Sequence, residues 1–270
     1  MDPWQQQMKD SLSDPLQLAH ALELDAGMVR SVVEKYPVQL TPYLLEKLAD
    51  PEHPLWRQFV PDAAELADDD LPADPLAEQE KSPVPAIIHR YPGRVLLLAA
   101  NSCAAYCRFC TRKRRVGNPD QSLSFGQVLD GIEYIAAQPG VNEVILSGGD
   151  PLALVDPVLT QLAQRLAQIP HIRRLRVHTR LPVMIPERVT DSLLNWLTGT
   201  RLTPIVVVHA NHAQEIDDAV AKSLQGLVEA GVPVLNQAVL LARINDSTAA
   251  QLNLCERLVN LRVMPYYLHL

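Results

Sequence analysis

Cysteines are the residues of this sequence with the clearest capacity for chemistry. Three of the four fall in the run Cys103-Ala104-Ala105-Tyr106-Cys107-Arg108-Phe109-Cys110, spaced by three residues and then by two. Thiolates are strong ligands for iron and zinc. Three of them on one loop can bind three irons of a cubane cluster and leave the fourth iron open to a small-molecule ligand. A structural zinc site normally closes with four protein ligands. The nearest further ligand in sequence is His89, on the far side of the strand expected before the loop, and that spacing is unlike a zinc knuckle. The run reads as a cluster site, with zinc and unliganded thiols as the alternatives. Cys255 stands alone in a helical pattern, where a cysteine behaves as a small apolar residue. Cysteines so placed are not a disulfide framework.

Other strings could bind ligands. Ser147-Gly148-Gly149-Asp150 has two glycines, which permit close backbone approach to a ligand but also serve an ordinary strand-to-helix turn. Arg90 and Arg94 bracket Tyr91, and planar guanidinium groups suit phosphate or carboxylate unless they are simply solvated at the surface. Arg112 follows the last loop cysteine and opens a basic run with Lys113, Arg114 and Arg115. Such a run alone suggests nucleic acid. The formal net charge of −7 argues against a general nucleic-acid binder, whose affinity rests on neutralising phosphates. His209 and Asn236-Gln237 are further polar positions at strand ends, although a lone histidine is often structural.

The elements that position these residues follow from periodicity. Residues 1 to about 60 read as short amphipathic helices punctuated by prolines. From 61 to about 85 an acidic, Pro-containing stretch with Asp68-Asp69-Asp70 reads as a solvated connector. Apolar runs at 94–100, 143–146, 174–178, 204–209, 234–240 and 263–268 read as strands. Helical patterns lie between them at 126–137, 157–168, 186–197, 213–230 and 248–258. Alternation of this kind predicts an α/β fold with a parallel sheet and right-handed crossovers. Each strand ends in a polar or Gly-rich string, which favours a barrel, where such groups gather at the carboxyl ends of the strands. An open doubly wound sheet would gather them at one switch point. The expected division is a helical region with its acidic linker at 1–84 and a partial barrel at 85–270. The first residues are polar, without the apolar core of a signal peptide, and no apolar run is long enough for a membrane span, so a cytoplasmic location is expected. A reducing cytoplasm also suits thiolate ligands.

Taken in order, the motifs resemble the radical S-adenosylmethionine (SAM) lysine 2,3-aminomutase family. The resemblance lies in His89–Leu98, the cysteine run with Thr111-Arg112-Lys113-Arg114, Leu146–Asp150, Asn236–Leu241 and Pro265-Tyr266-Tyr267. Asp74-Pro75-Leu76-Ala77-Glu78-Gln79 and Tyr266-Tyr267-Leu268-His269 are more similar to one branch, which makes (R)-β-lysine to modify translation elongation factor P (EF-P). The resemblance implies a partial (β/α)6 radical-SAM barrel with an N-terminal helical extension. It implies a 4Fe–4S cluster on Cys103, Cys107 and Cys110, and SAM beside Ser147, Gly148, Gly149, Asp150, His209 and Gln237. It puts pyridoxal 5′-phosphate (PLP) against Arg90, Tyr91 and Arg94, and the α-carboxylate of L-lysine against Arg112. An electron donor such as a flavodoxin or ferredoxin and a functional link to an EF-P lysyl ligase are implied too, with no nucleic-acid or membrane partner. The alternatives are a free-lysine or glutamate 2,3-aminomutase, or a zinc- or cluster-bearing RNA- or protein-binding module. In the resembling family the lysine that holds PLP follows the sixth strand. None of Lys9, Lys35, Lys47, Lys81, Lys113 and Lys222 lies in a matching motif, and the sequence ends at Leu270. The expectation is a truncated form that holds PLP weakly and turns over little.

Overall fold

The computed structural model describes residues 1–67 and 72–270. Asp68, Asp69 and Asp70, the middle of the expected connector, lie outside the described residues. The chain begins with five short helices: α1 (Pro3–Lys9), α2 (Pro15–Ala21), α3 (Ala26–Lys35), α4 (Pro42–Lys47) and α5 (Trp56–Phe59). Local chemistry starts several of them. Asp14 and Thr41 accept from backbone N–H groups of α2 and α4, and each is followed by a proline already suited to the first helical turn.

A seven-stranded sheet follows, in the order of the sequence: β1 (Ile87–Tyr91), β2 (Arg94–Ala100), β3 (Glu143–Gly148), β4 (Arg174–Thr179), β5 (Thr203–His209), β6 (Val234–Val239) and β7 (Met264–His269). Strands β2 to β7 run parallel, as expected, and the sheet does not close. The strand missed by the periodicity is β1, which forms an antiparallel hairpin with β2 around Pro92-Gly93. Its two buried isoleucines are too few to register as an apolar run. Register aligns one apolar row across the sheet: Leu97, Leu146, Val177, Val206 and Val234. Alternate residues of a strand face opposite sides. The face opposite that row therefore carries Ser147, Arg176, His178, His209 and Gln237, and this polar face is the inside of the partial barrel.

Crossovers are made by α6 (Phe125–Ala136), α7 (Asp156–Ala167), α8 (Leu181–Met184), α9 (Asp191–Thr198), α10 (Asp218–Glu229) and α11 (Thr248–Asn260). Two expected helices are divided. The 186–197 pattern is a single 3-10 turn, Pro186–Arg188, and then α9, because the Thr190 side chain accepts from Leu193 N and starts a new helix. The 213–230 pattern breaks at Asp217, whose side chain caps α10 in the same way.

Most described residues of the acidic stretch are exposed, as expected of a solvated connector, but three of its carboxylates are tied down. It runs as a strap over the cysteine loop. Glu65 pairs with Arg108 at 2.6 Å and with Lys113, Asp74 with Arg114 at 2.9 Å, and Glu78 with Arg112 at 2.7 Å. Glu65, Asp74 and Glu78 thus answer Arg108, Arg112, Lys113 and Arg114 within the molecule. The hydrophobic core is continuous from Trp4 in α1 to Val263 before β7, and crosses residue 84 without a break. No helix among the described residues is long and apolar enough to cross a membrane.

Candidate functional site

The cysteine loop leaves the carboxyl end of β2 and is fixed there by β3. Gly149 N donates to Ala100 O at 2.7 Å, and Asp150 N donates to Ser102 O at 2.9 Å. A Cβ on Gly148 would run into Ala100 O, and one on Gly149 into Ser102 O. Gly148 also has φ of 120°, which a side chain resists. The two glycines are thus required by the approach of the protein's own backbone. Asp150 is committed in the same way. Its buried carboxylate accepts from Thr179 Oγ1 at 2.7 Å, Arg180 N at 2.6 Å and Leu152 N at 3.0 Å. Three segments, at 100–102, 148–152 and 179–180, therefore meet behind the loop.

Burial pushes the Cys103 thiol well above its ordinary pKa, with further contributions from Asp150, Cys110 and Cys107. Cys110 is pushed up to about 11 by burial and then by Cys107. Among the described residues no three His, Cys, Asp or Glu side chains converge on a single ion. A cubane asks for less convergence, since each thiolate takes a different iron. Three thiols on one half-buried loop, spaced by three residues and then by two, are a donor set that fits such a cluster.

Arg112 stands between the strap and the β3 turn. Glu78 takes its Nε at 2.9 Å and its Nη2 at 2.7 Å, while Nη1 donates to Ser147 Oγ at 3.0 Å and Gly148 O at 3.3 Å. Farther inside, His178 and His209 each have a buried Nε2 with no partner among the described residues. Burial, aided by Arg176, pushes His178 down to about 3, and burial with Arg180 pushes His209 well below its ordinary value. Both are therefore neutral, and the unpaired ring nitrogens leave the interior able to take a polar ligand. Gln237 pairs in register with His209. Its neighbour Asn236 is instead scaffold, with both ends of its amide bonded to Ala210.

Arg90, Tyr91 and Arg94 lie on the hairpin at the amino end of β2, a strand length of about 20 Å from its carboxyl end. They are not brought together with the cysteines. Arg90 donates to Leu76 O of the strap, and Tyr91 is 56% exposed beneath the Arg94 guanidinium at 5.6 Å. Arg94 also reaches Tyr266, whose hydroxyl is drawn below its ordinary pKa by Arg176 and then by Arg94. Of the lysines, Lys47 and Lys113 are in ion pairs, and Lys9, Lys35, Lys81 and Lys222 are exposed.

Four contributors escaped the sequence reading: Glu78, Arg176, His178 and Arg180. Arg176 and His178 had a signal, since the charged and polar residues of β4 recur at every second position against Leu175 and Val177. Arg180 had a weaker one, as a charged residue directly after the end of β4. Its guanidinium donates to Cys107 Sγ at 2.9 Å and to Glu215 at 2.9 Å. Glu78 shows only its motif, and its partner is set by the fold.

Residues 97–252 match the Radical SAM superfamily. The chain is 38% identical over 275 residues to an L-lysine 2,3-aminomutase of Haemophilus influenzae, covering 99% of this chain and 80% of that protein. An L-lysine 2,3-aminomutase of Escherichia coli K12 is 36% identical over 277 residues, again covering 99% of this chain and 80% of the relative. One from Fusobacterium nucleatum is 40% identical over 275 residues, covering 98% of this chain. The chain spans only 64% of that relative's length.

Proposed function

The chain belongs to the radical SAM superfamily and, within it, to the L-lysine 2,3-aminomutase family, and from that premise we propose that it is an isomerase acting on L-lysine. The amino group moves from Cα to Cβ, giving (R)-β-lysine. Cys103, Cys107 and Cys110 hold the cluster. The backbone of Ser147, Gly148 and Gly149, with His209 and Gln237, borders SAM. When bound, the cluster and SAM supply hydrogen-abstracting radical chemistry and PLP carries the migrating amino group. Arg112 binds the substrate α-carboxylate. Glu78 holds the guanidinium by its Nε edge, so the group is oriented before substrate arrives. His178 and His209 stay neutral and offer hydrogen bonds without adding charge beside a cationic substrate. The Arg94, Arg176, Tyr91 and Tyr266 group suits the PLP phosphate, as a set of cations and hydroxyls gathered beside one another on the sheet. The observation that carries the reading is the position of Arg112. It lies two residues from Cys110 and is bonded to the turn that anchors the cysteine loop.

The use of the product in modifying EF-P, together with an EF-P lysyl ligase, is supported by the Asp74–Gln79 and Tyr266–His269 motifs. A flavodoxin or ferredoxin is the natural class of reductant for such a cluster. The test is anaerobic reconstitution with iron and sulfide, then addition of SAM, PLP, reductant and L-lysine. Full cluster content with cleavage of SAM to 5′-deoxyadenosine is the expected outcome, with little β-lysine formed, since Lys47 and Lys113 are held in ion pairs and the other lysines are exposed. Zinc without acid-labile sulfide would overturn the cluster, and β-glutamate formed from glutamate in place of β-lysine would overturn the substrate.

A further inference from the structure

Arg180 is a buried cation whose surroundings exceed what a packing role needs. It ends β4 and enters a closed polar network at the back of the cysteine loop. Nη1 donates to Cys107 Sγ at 2.9 Å, and Nη2 donates to Gln58 Oε1 at 2.6 Å and Glu215 Oε2 at 2.9 Å. Its plane is held between Phe59, 4.5 Å from the guanidinium carbon, and Phe109 at 5.5 Å. Glu215 is 0% exposed and is itself fixed by Gln58, Asn211 N and His212 N. The network is also tied to the loop directly, as Arg108 N donates to Gln58 O at 2.8 Å. The Arg180 Nε is buried without an acceptor among the described residues.

We propose that Arg180 is a positioning residue that sets the reduction potential of a cluster bound at Cys107, with Glu215 as the counter-charge that limits its effect. This rests on the reading that the three cysteines hold an iron–sulfur cluster. Hydrogen bonds and net charge at the ligand sulfurs are among the main determinants of such potentials. Reduction adds one negative charge to the cluster. A guanidinium in contact with a ligand sulfur favours the reduced form and raises the potential, and a nearby carboxylate opposes it. Both act strongly here, because burial removes the screening that water would provide. The guanidinium stays charged at any working pH, so the effect is permanent. Gln58 contributes from α5, which makes the N-terminal helices part of the electron-accepting site.

The experiment compares the full chain with Arg180→Gln, Arg180→Lys and Glu215→Gln after anaerobic reconstitution. Iron and sulfide are counted, and the midpoint potential is read by electron paramagnetic resonance during reductive titration. Arg180→Gln with a full cluster should have a more negative potential than the wild type. Arg180→Lys keeps the charge and should fall between the two. Glu215→Gln should shift the potential in the positive direction. A full cluster at the wild-type potential in Arg180→Gln overturns the proposal. Where that variant takes up no cluster, Glu215→Gln decides, and an unchanged or more negative potential overturns it. Loss of the cluster from all three variants also overturns it, since the network would then be structural only. Failure of the wild type to take up a cluster is separate, and removes the underlying reading of the cysteines.

Discussion

Single residues divide by how far their function depends on neighbours in sequence. The cysteine run is local, and its spacing alone points to cluster chemistry. Cys103→Ala, Cys107→Ala and Cys110→Ala should each abolish iron and sulfide uptake. Cys255→Ala should leave it intact, because Cys255 lies on α11 away from the loop. Retention of a full cluster by the Cys107 variant, counted by iron and sulfide analysis, would refute the ligand set. Arg112 stood out in the sequence as the cation beside the last loop cysteine, but its orientation was not legible. Its geometry comes from Glu78 on the strap and Ser147 on β3, which only the fold brings to it. Arg112→Lys keeps the charge but loses the fork that Glu78 grips. It should lower kcat/KM for lysine by about 10-fold or more, the size of one charge-assisted hydrogen bond. Cluster content should not change. Unaltered lysine-dependent SAM cleavage would remove Arg112 from the substrate site.

At the scale of elements, the parallel strands were legible because each is a compact apolar run, whereas β1 and the divided helices were set by turns and caps. Residue patterns do not show which glycine faces backbone and which faces ligand. Gly149 faces Ser102 O, a carbonyl that the Asp150 N bond holds in place and that cannot yield to a side chain. Gly149→Ala should therefore cost about 1–3 kcal/mol and displace the cysteine loop. The expected readout is a lowered iron content at unchanged helix content by circular dichroism, and full iron uptake would contradict the assigned contact. The strap's exposure was legible from its acidity, but its pairing with the basic loop was not, because the fold brings the two together. Burial raises the Glu65 pKa, but Arg108 and Lys113 outweigh it and hold the carboxyl below its ordinary 4.5. A depressed carboxyl stabilises the folded state fully above its unfolded pKa and loses that contribution as pH falls through its folded pKa. The strap should thus hold at neutral pH and loosen below about pH 4.5. Hydrogen exchange across Ala63–Leu66 would follow this, and exchange indifferent to that pH range would show that Glu65 does not hold the strap.

On the scale of the whole molecule, the sequence suggested a boundary at residue 84, where composition changes from acidic to apolar. Composition registers what a segment is made of, not what it rests on. Trp4 in α1 is 2% exposed and lies 4.3 Å over the guanidinium of Arg188. Arg188 is fully buried, bonded to Leu152 O at 2.7 Å and to Asp156 at 2.7 Å, and Asp156 also accepts from Trp196 Nε1 at 2.9 Å. Thr41 Oγ1 of the helical region donates to Met184 O of the barrel at 3.2 Å. These contacts carry the N-terminal helices into the β3 and β4 crossovers, the same elements that fix the cysteine loop. The two regions should therefore unfold together, in one transition seen alike by far-ultraviolet circular dichroism and by tryptophan fluorescence. Trp4→Ala removes a buried ring from that junction and should cost about 3–5 kcal/mol. Because the core is shared, the loss should lower the midpoint of the single transition and should not detach the helices as a separate early phase. Two resolved transitions, with the later one at the wild-type midpoint, would mean that the barrel stands without the helical region and that Gln58 is not fixed firmly enough to steady Arg180.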